Sequence, residues 1–149
     1  MKTTDLQPSR QPSTLEEMRS VLASSHTIAV VVFSSKVQRA GYTIPAYLQR
    51  QGYRVIPVNP NLTEALGEKA YASLRDVPMA VDVVDVFRRA EDVPPIVEDA
   101  IAIGAKVVWL QSGIVNEEAA VRAEAAGLQV IMDACMGAVH QFLRAKGEL

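Results

Sequence analysis

The segment from residue 27 to residue 60 constrains the fold more than any other part of the sequence. It holds a β-branched apolar run (Thr27–Phe33), a polar loop (Ser34–Gly41), an amphipathic stretch (Tyr42–Gln51) and a second β-branched run (Tyr53–Val58). Strand, helix and strand within about 30 residues have the size and pattern of a βαβ unit. Because such units are right-handed in nearly all proteins, the polar loop is predicted at the carboxyl end of the first strand, where open α/β sheets bind ligands.

The rest of the chain continues this alternation of strand and helix. Further strands are predicted at Val81–Phe87, Lys106–Leu110 and Leu128–Met132. Helices are predicted at Leu15–Ser24, Glu91–Ile103, Asn116–Ala126 and Gly137–Ala145, with a short helix near Thr63–Leu66 and a turn near Ser73–Val77. Five strands alternating with helices predict an α/β fold, namely a Rossmann-like, doubly wound parallel sheet in three α/β/α layers. The strands are almost continuous in Val, Ile and Leu, as expected when helices cover both faces.

The size and charge of the chain restrict its class. Its 149 residues predict a single domain over residues 14–149, after a disordered segment at residues 1–13. A net charge of −2 argues against a nucleic-acid partner, and the absence of an apolar run of ~20 residues argues against a membrane. One cysteine and a polar N-terminus without the apolar core of a signal peptide predict a cytoplasmic protein.

Polar and cationic side chains follow the predicted strands at their carboxyl ends. In a parallel sheet those ends share one edge, so the loops after the strands are expected to bring these side chains together. The cations are Lys36, Arg39, Arg88 and Arg89, and the hydroxyl and amide groups come from Ser34, Ser35, Ser112, Asn59 and Gln111. Guanidinium groups bind phosphate through paired, charge-assisted hydrogen bonds. The pattern therefore predicts a site for a phosphate-bearing ligand.

Several sharper motifs are absent from the sequence. No GxGxxG follows the first strand, and Asn59 stands where NAD-binding proteins carry an acid, so NAD is disfavoured. The chain has no GxxxxGK[ST] phosphate-binding loop and no GxSxG nucleophile motif. Two histidines and one cysteine show no spacing typical of metal ligands. No catalytic set is visible, which favours a binding module over an enzyme.

Four other side chains invite a functional interpretation. Asp82 and Asp85 lie in one predicted strand with opposite orientations, so they do not form an acid–base pair, and Asp85 is expected to accept hydrogen bonds from loop N–H groups. Cys135 follows the last strand near a helix start, where a thiolate is stabilised, yet lone cysteines are commonly small buried apolar residues. A structural and a reactive role for Cys135 both stay open. His140 is expected to be an ordinary exposed residue.

Four sequence stretches together resemble a known family. These are IAVV…S.K..R…YLQRQGYRVIPVNP, VDVVDVFRR, VWLQSGI and an MD.C element, spread over residues 27–135. They are similar to the small stand-alone CoA-binding domain proteins and to the N-terminal CoA-binding domain of the succinyl-CoA synthetase α subunit. The resemblance implies a Rossmann-like fold that binds coenzyme A, or an acyl-CoA, through its 3′-phospho-ADP portion. It implies no catalysis, because a ligase of that type needs a phosphorylated histidine and a partner subunit.

The resemblance also implies a set of binding residues. Ser34, Lys36 and Arg39 would lie near the phosphates, together with the neighbouring Ser35. Asn59 and Pro60 would lie beside the adenosine half, and Phe87 and Arg88 over the nucleotide. Gln111 and Gly113 would line the groove.

The chain departs from the family pattern at four positions. Val32 and Gly41 stand where glycine and serine are usual, Val37 stands where proline is common, and Ala134 replaces an arginine before the cysteine. Two alternatives to simple CoA binding follow. One is a thiol-redox or acyl-CoA-processing enzyme that uses Cys135. The other is a regulatory or interaction module whose ligand binding is weakened by Val32 and Ala134, with a partner protein or a second copy of the chain.

Overall fold

The computed structural model describes residues 11–149, which form five helices of nine to eleven residues and seven strands. The helices are α1 (Leu15–Ser24), α2 (Ala40–Arg50), α3 (Val93–Ala102), α4 (Glu117–Ala125) and α5 (Met136–Ala145). The strands are β1 (Thr27–Val31), β2 (Arg54–Val58), β3 (Glu64–Ala65), β4 (Glu68–Lys69), β5 (Val83–Val86), β6 (Val107–Leu110) and β7 (Gln129–Ile131). Short 3₁₀ turns lie at Leu74–Asp76 and Ala90–Asp92.

Five strands form one parallel sheet in the order β2-β1-β5-β6-β7. The predicted Rossmann-like α/β fold is confirmed. The chain crosses from β1 outward to β2 and then returns to the other side of β1 with β5, so the direction of winding reverses between β1 and β5. Ligands of open α/β sheets bind outside the carboxyl ends of the strands at this reversal, known as the topological switch point.

The core consists of two apolar layers, one on each face of the sheet. On one face Leu22 of α1, Leu48 of α2 and Leu143 of α5 pack against β-strand side chains that include Trp109. On the other face α3 and α4 supply mainly small residues, such as Ala100 and Ala123. Every residue of β1, β5 and β6 is buried, which explains why these strands lack polar alternation.

Local capping explains where two helices begin. Thr14 and Glu17 form a reciprocal capping box at the start of α1, with the Thr14 Oγ1 accepting from the Glu17 N–H at 3.1 Å. The Asn116 side chain caps α4 by accepting from the Ala119 N–H at 2.9 Å, as its position in the sequence predicts. The disordered segment predicted at residues 1–13 lies outside the described residues except for residues 11–13, of which Ser13 accepts a hydrogen bond from the Met132 N–H at 3.3 Å.

The predicted short helix near Thr63–Leu66 is wrong, because this segment forms the β3–β4 hairpin. Leu66 and Gly67 both have positive φ, at 53° and 77°, which are the angles that a two-residue hairpin turn requires. The Gln49 side-chain amide donates to the Leu66 carbonyl at 2.7 Å and so fastens the turn to α2. Tertiary hydrogen bonding therefore favours a left-handed Leu66 that local propensity would not choose.

The expectation that His140 is exposed is also wrong. The residue is 6% exposed, and its ring lies edge-on to Tyr47 and Tyr53 and bonds through Nδ1 to the Tyr47 hydroxyl at 2.9 Å. Burial lowers the pKa of His140, and the nearby positive charge of Arg144 lowers it further. The histidine therefore stabilises the contact between α2 and α5 in its neutral form.

Helices α2 and α5 also meet where α5 begins. A Cβ atom added to Gly137 would lie 3.0 Å from the Ile44 Cγ2 atom, so only glycine fits here without displacing Ile44. The first turn of α5 thus packs directly on α2.

Within residues 11–149, every helix is too short or too polar to cross a bilayer.

Candidate functional site

Two adjoining cavities of about 770 and 310 Å³ open at the carboxyl ends of β1 and β5, at the switch point of the sheet. We call them together the cleft. Both cavities are lined by Val32, Ser34, Arg39, Phe87 and Arg88. The larger one adds Ala40, Gly41, Arg89, Ala90, Gln111, Ser112, Gly113, Ile114 and Cys135. The smaller one adds Phe33, Ser35, Lys36 and Asn59.

The structure brings nearly all of the predicted binding residues to this cleft. Nine of the ten line one or both cavities, namely Ser34, Ser35, Lys36, Arg39, Asn59, Phe87, Arg88, Gln111 and Gly113. Pro60 is exposed and lines neither cavity. The wall also includes Ala40, Ala90 and Ile114, which the sequence does not single out because their side chains have no polar or ionisable group. The only signal that could have found them is their position in the loops after the strands.

The N-terminus of α2 forms one wall of the cleft. The helix begins at Ala40, two residues earlier than predicted, and its N-cap Arg39 makes no capping hydrogen bond through its side chain. The N–H groups of Ala40 and Gly41 have no intrahelical partner, because the first N–H groups of any helix lack one. Both residues line the larger cavity, so the positive end of the helix dipole faces it. This is the geometry of an anion-binding site.

Gly41 lets the helix start approach the preceding loop closely. A Cβ atom at position 41 would lie 3.2 Å from the Ser34 Cβ and 3.3 Å from the Val32 carbonyl oxygen. The Ser34 N–H donates to the Gly41 carbonyl at 3.0 Å across this contact. Serine at this position would therefore be tight in this chain, while Val32 itself lines both cavities. The two departures from the family pattern are thus neighbours in the same wall.

The four cations of the predicted site differ in whether they already form ion pairs with other side chains. Lys36 and Arg39 are exposed and form no ion pair with any residue from 11 to 149. Arg88 pairs with Asp92 at 3.0 Å, and the Arg89 guanidinium lies 3.6 Å from the same carboxylate. The two unpaired cations are both in the loop before α2, so the uncompensated positive charge is concentrated at that end of the cleft.

Asn59 has a structural role in the wall of the smaller cavity. Its Nδ2 donates to the Phe33 carbonyl at 2.7 Å, and its Oδ1 accepts from the Asn61 N–H at 2.8 Å. The side chain thereby ties the loop after β1 to the loop after β2. Both of its polar atoms already have partners, so Asn59 shapes the cavity more than it offers free hydrogen-bonding groups.

Asp85 lies in the middle of the sheet, in register with Val30 on one side and Trp109 on the other. The expectation that loop N–H groups bond to it is wrong: its Oδ1 accepts from the Gln111 side-chain amide, and its Oδ2 has no partner within the described chain. Complete burial raises the pKa of Asp85 to about 7, against the smaller opposing effect of the Gln111 hydrogen bond.

Backbone N–H groups at the start of β1 bond instead to Asp82, which precedes β5. Its Oδ2 accepts from the N–H groups of His26 and Thr27 at 2.8 and 2.9 Å, and Lys106 lies 3.4 Å from its other oxygen. Partial burial opposes ionisation, but these hydrogen bonds and the Lys106 charge outweigh it and lower the pKa of Asp82. The two aspartates therefore have opposite electrostatic environments.

Cys135 is half-buried and lines the larger cavity as the N-cap residue of α5. Its Sγ accepts a hydrogen bond from the Ala138 N–H at 3.4 Å, which directs the sulfur toward the helix start. The Trp109 Nε1–H donates to the Ala134 carbonyl at 2.8 Å and holds the preceding backbone. Among residues 11–149, no group of three or more His, Cys, Asp or Glu side chains could hold a metal ion.

Comparison with known proteins matches residues 26–141 to the family described as CoA binding domain. The chain is 41% identical over 124 residues to the uncharacterized protein YneT of Bacillus subtilis, which covers 83% of this chain and 92% of that one. A hypothetical protein from Pyrococcus horikoshii has a similar structure, with a TM-score of 0.83 and 37% identity over 93% of this chain and 99% of that one. A 94-residue stretch is 31% identical to the ADP-forming acetate–CoA ligase II of Archaeoglobus fulgidus, covering 62% of this chain but 14% of that enzyme.

Proposed function

Because this chain belongs to the CoA binding domain family, we propose that it binds coenzyme A, or an acyl-CoA, in the cleft and has no catalytic activity of its own. One observation carries the proposal. Two cations that have no ion-pair partner within residues 11–149 and an open helix N-terminus lie together at the switch point of the sheet. Charge-assisted hydrogen bonds of this kind are the stronger ones in proteins, and they suit the phosphates of a 3′-phospho-ADP group.

In this proposal the phosphates bind at the start of α2. The N–H groups of Ala40 and Gly41 donate to phosphate oxygens, and Lys36 and Arg39 neutralise their charge. Arg88 adds a third cation, which would exchange part of its pairing with Asp92 for a phosphate. The hydroxyls of Ser34 and Ser35 supply further donors at the same end of the cleft.

The remaining wall would hold the less polar parts of the ligand. Phe87 is half-buried and lines both cavities, where its ring offers an apolar surface to the nucleoside. Asn59 would border the adenosine half through the shape that it gives to the smaller cavity, and the exposed Pro60 would lie beside it, outside both cavities. Gln111 and Gly113 line the larger cavity farther along the sheet edge.

Calorimetric titration with CoA, dephospho-CoA, NAD and ATP tests the proposal. We expect CoA to bind most tightly, because it alone carries both a 3′-phosphate and the pantetheine arm. Dephospho-CoA is expected to bind more weakly, since it forgoes one charge-assisted interaction. NAD is expected to be weakest, because no acid follows β2 to hold its ribose. CoA binding no tighter than NAD binding would contradict the proposal, and no binding of any nucleotide would favour an interaction module.

The position of Cys135 in the same cavity favours a second candidate function, thiol exchange with the bound ligand. In that reaction the Cys135 thiolate attacks the disulfide of oxidised CoA, forms a protein–CoA disulfide and releases one CoA thiolate. We expect oxidised CoA to add the mass of one CoA to the protein, and Cys135→Ser to abolish the addition. Mass spectrometry of the intact protein gives the readout, with oxidised glutathione as the control disulfide. An equal rate with glutathione would exclude recognition of CoA in this step.

A further inference from the structure

Gln111 and Asp85 form a buried polar pair that borders the larger cavity. Gln111 is 6% exposed and lines the cavity, whereas Asp85 is 0% exposed behind it. The Gln111 Nε2 donates to the Asp85 Oδ1. The Asp85 Oδ1 is the acceptor here whether the carboxyl group is ionised or carries its proton on Oδ2, so this contact orients the amide with its nitrogen toward Asp85 and its carbonyl oxygen away from it.

The Gln111 carbonyl oxygen is therefore the atom that the pair presents to the cleft. Within residues 11–149 this Oε1 makes no hydrogen bond, and it is not among their buried unpartnered atoms. Backbone donors nearby are already engaged: the Gly113 N–H bonds to the Asp133 Oδ1 at 2.7 Å and the Ile114 N–H to the Gln111 carbonyl at 2.9 Å. This part of the cleft consequently offers a fixed acceptor and calls for a donor on the ligand.

The surroundings decide which donor fits. Ile114 and Cys135 line the same cavity as Gln111 and contribute an aliphatic group and a thiol to it. Lys36 and Arg39, which lack ion-pair partners within residues 11–149, lie in the loop before α2, where Arg39 lines both cavities. A phosphate would be repelled by a carbonyl oxygen that has a carboxyl group behind it. An uncharged amide N–H flanked by methylene groups suits both the acceptor and the apolar wall, and the pantetheine arm of CoA carries two such groups.

We propose that the Gln111 Oε1 accepts a hydrogen bond from a pantetheine amide N–H, and that Asp85 is the positioning residue that keeps this oxygen turned toward the ligand. This inference rests on the proposed function, since it names the part of CoA that the larger cavity recognises. It assigns the Gln111 end of the larger cavity to the arm and leaves the nucleotide to the end at the start of α2, where Arg39, Ala40 and Gly41 line the same cavity.

Gln111→Leu tests the proposal when CoA is compared with 3′-phospho-ADP, the nucleotide portion of CoA without the arm. We expect the variant to bind CoA roughly threefold to tenfold more weakly, as for the loss of one neutral hydrogen bond, and to bind 3′-phospho-ADP as the wild type does. The ratio of the two dissociation constants, measured by calorimetry, is the readout. A general loss of structure would change both constants and leave their ratio unchanged.

Two further variants separate positioning from folding. Asp85→Asn keeps a carbonyl oxygen that can accept from Gln111, so it should retain most of the selectivity for CoA. The double variant Asp85→Leu/Gln111→Leu removes both polar partners together, which costs little stability. It should bind 3′-phospho-ADP as the wild type does and lose the preference for CoA that depends on the arm.

Two results would overturn the inference while leaving the proposed function intact. One is an equal weakening of CoA and 3′-phospho-ADP binding in a Gln111→Leu protein whose thermal stability matches that of the wild type, which would assign the acceptor to the adenine amino group. The other is an unchanged ratio in the double-leucine variant. Failure of the wild-type protein to bind CoA would instead overturn the proposed function itself.

Discussion

Replacing Lys36 and Arg39 together by alanine is expected to weaken CoA binding by roughly a hundredfold. Both cations are exposed and lack ion-pair partners within residues 11–149, so their charge is available to the ligand. A hydrogen bond to a charged group contributes about 1.5 kcal/mol at the lower end of its range, which suits these exposed positions, and two such losses amount to about a hundredfold in affinity. Isothermal titration of wild type and double variant measures the change directly.

Arg50→Ala is the matched control for this pair. Arg50 is an exposed cation in the last turn of the same helix, α2, at the end opposite the cleft. Its removal changes the net charge by one unit without touching the proposed phosphate site, so CoA affinity should change by less than twofold. The wild-type affinity should also fall with added salt, and more steeply than that of the double variant. A double variant that binds CoA as tightly as Arg50→Ala would remove the phosphates from this end of the cleft.

Asp85→Asn is expected to become progressively more stable than the wild type as the pH rises. Burial raises the pKa of Asp85 to about 7 in the folded protein, from a value near 3.8 when unfolded. The folded state therefore binds more protons between these two pKa values, so the contribution of Asp85 to stability is complete below the unfolded value and is lost as the pH rises through about 7. Asparagine stays neutral throughout and avoids this loss.

The gap in the free energy of unfolding between the variant and wild type should widen by about 2–3 kcal/mol from pH 5 to pH 8, because one pKa unit corresponds to about 1.36 kcal/mol. Urea denaturation at the two pH values measures it. The lowered pKa of His140 changes stability in the opposite direction, but it acts equally in both proteins and cancels in the difference. Asp82→Asn is the control: the pKa of Asp82 is lowered, so its carboxylate stays ionised over this range. A gap that is constant with pH would show that Asp85 does not titrate there.

The sheet was predictable because its signal is redundant. Five separate apolar runs, each ending in polar residues, all favour one parallel architecture, and small errors at their ends do not change it. The β3–β4 hairpin lacks this redundancy. Its strands have two residues each, and its turn depends on a left-handed Leu66 held by Gln49 of a distant helix, a contact that local sequence cannot reveal.

The gathering of the polar loop residues at one edge was likewise predictable from topology, whereas the partners of individual side chains were not. The sequence places Asp85 in a buried strand but does not show that Gln111, in the loop after the next strand, reaches it. Nor does it show that Arg88 forms an ion pair with Asp92, or that the amide of Asn59 donates a hydrogen bond to the Phe33 carbonyl. The burial of His140 was not predictable for the same reason, since it depends on contacts with two tyrosines from other parts of the chain.

The contact between Gly137 and Ile44 has a consequence for how a ligand enters. The first turn of α5, which carries Cys135 as its cap, packs on α2, the helix whose start lines the larger cavity, and a Cβ atom at position 137 would lie only 3.0 Å from the Ile44 Cγ2 atom. Because a change in their relative position would disrupt this contact, we expect the two helices that border the larger cavity to keep their arrangement when a ligand binds. Ligand binding is then expected to require no closure of one helix onto the other, and little of the binding free energy should be spent on ordering the protein.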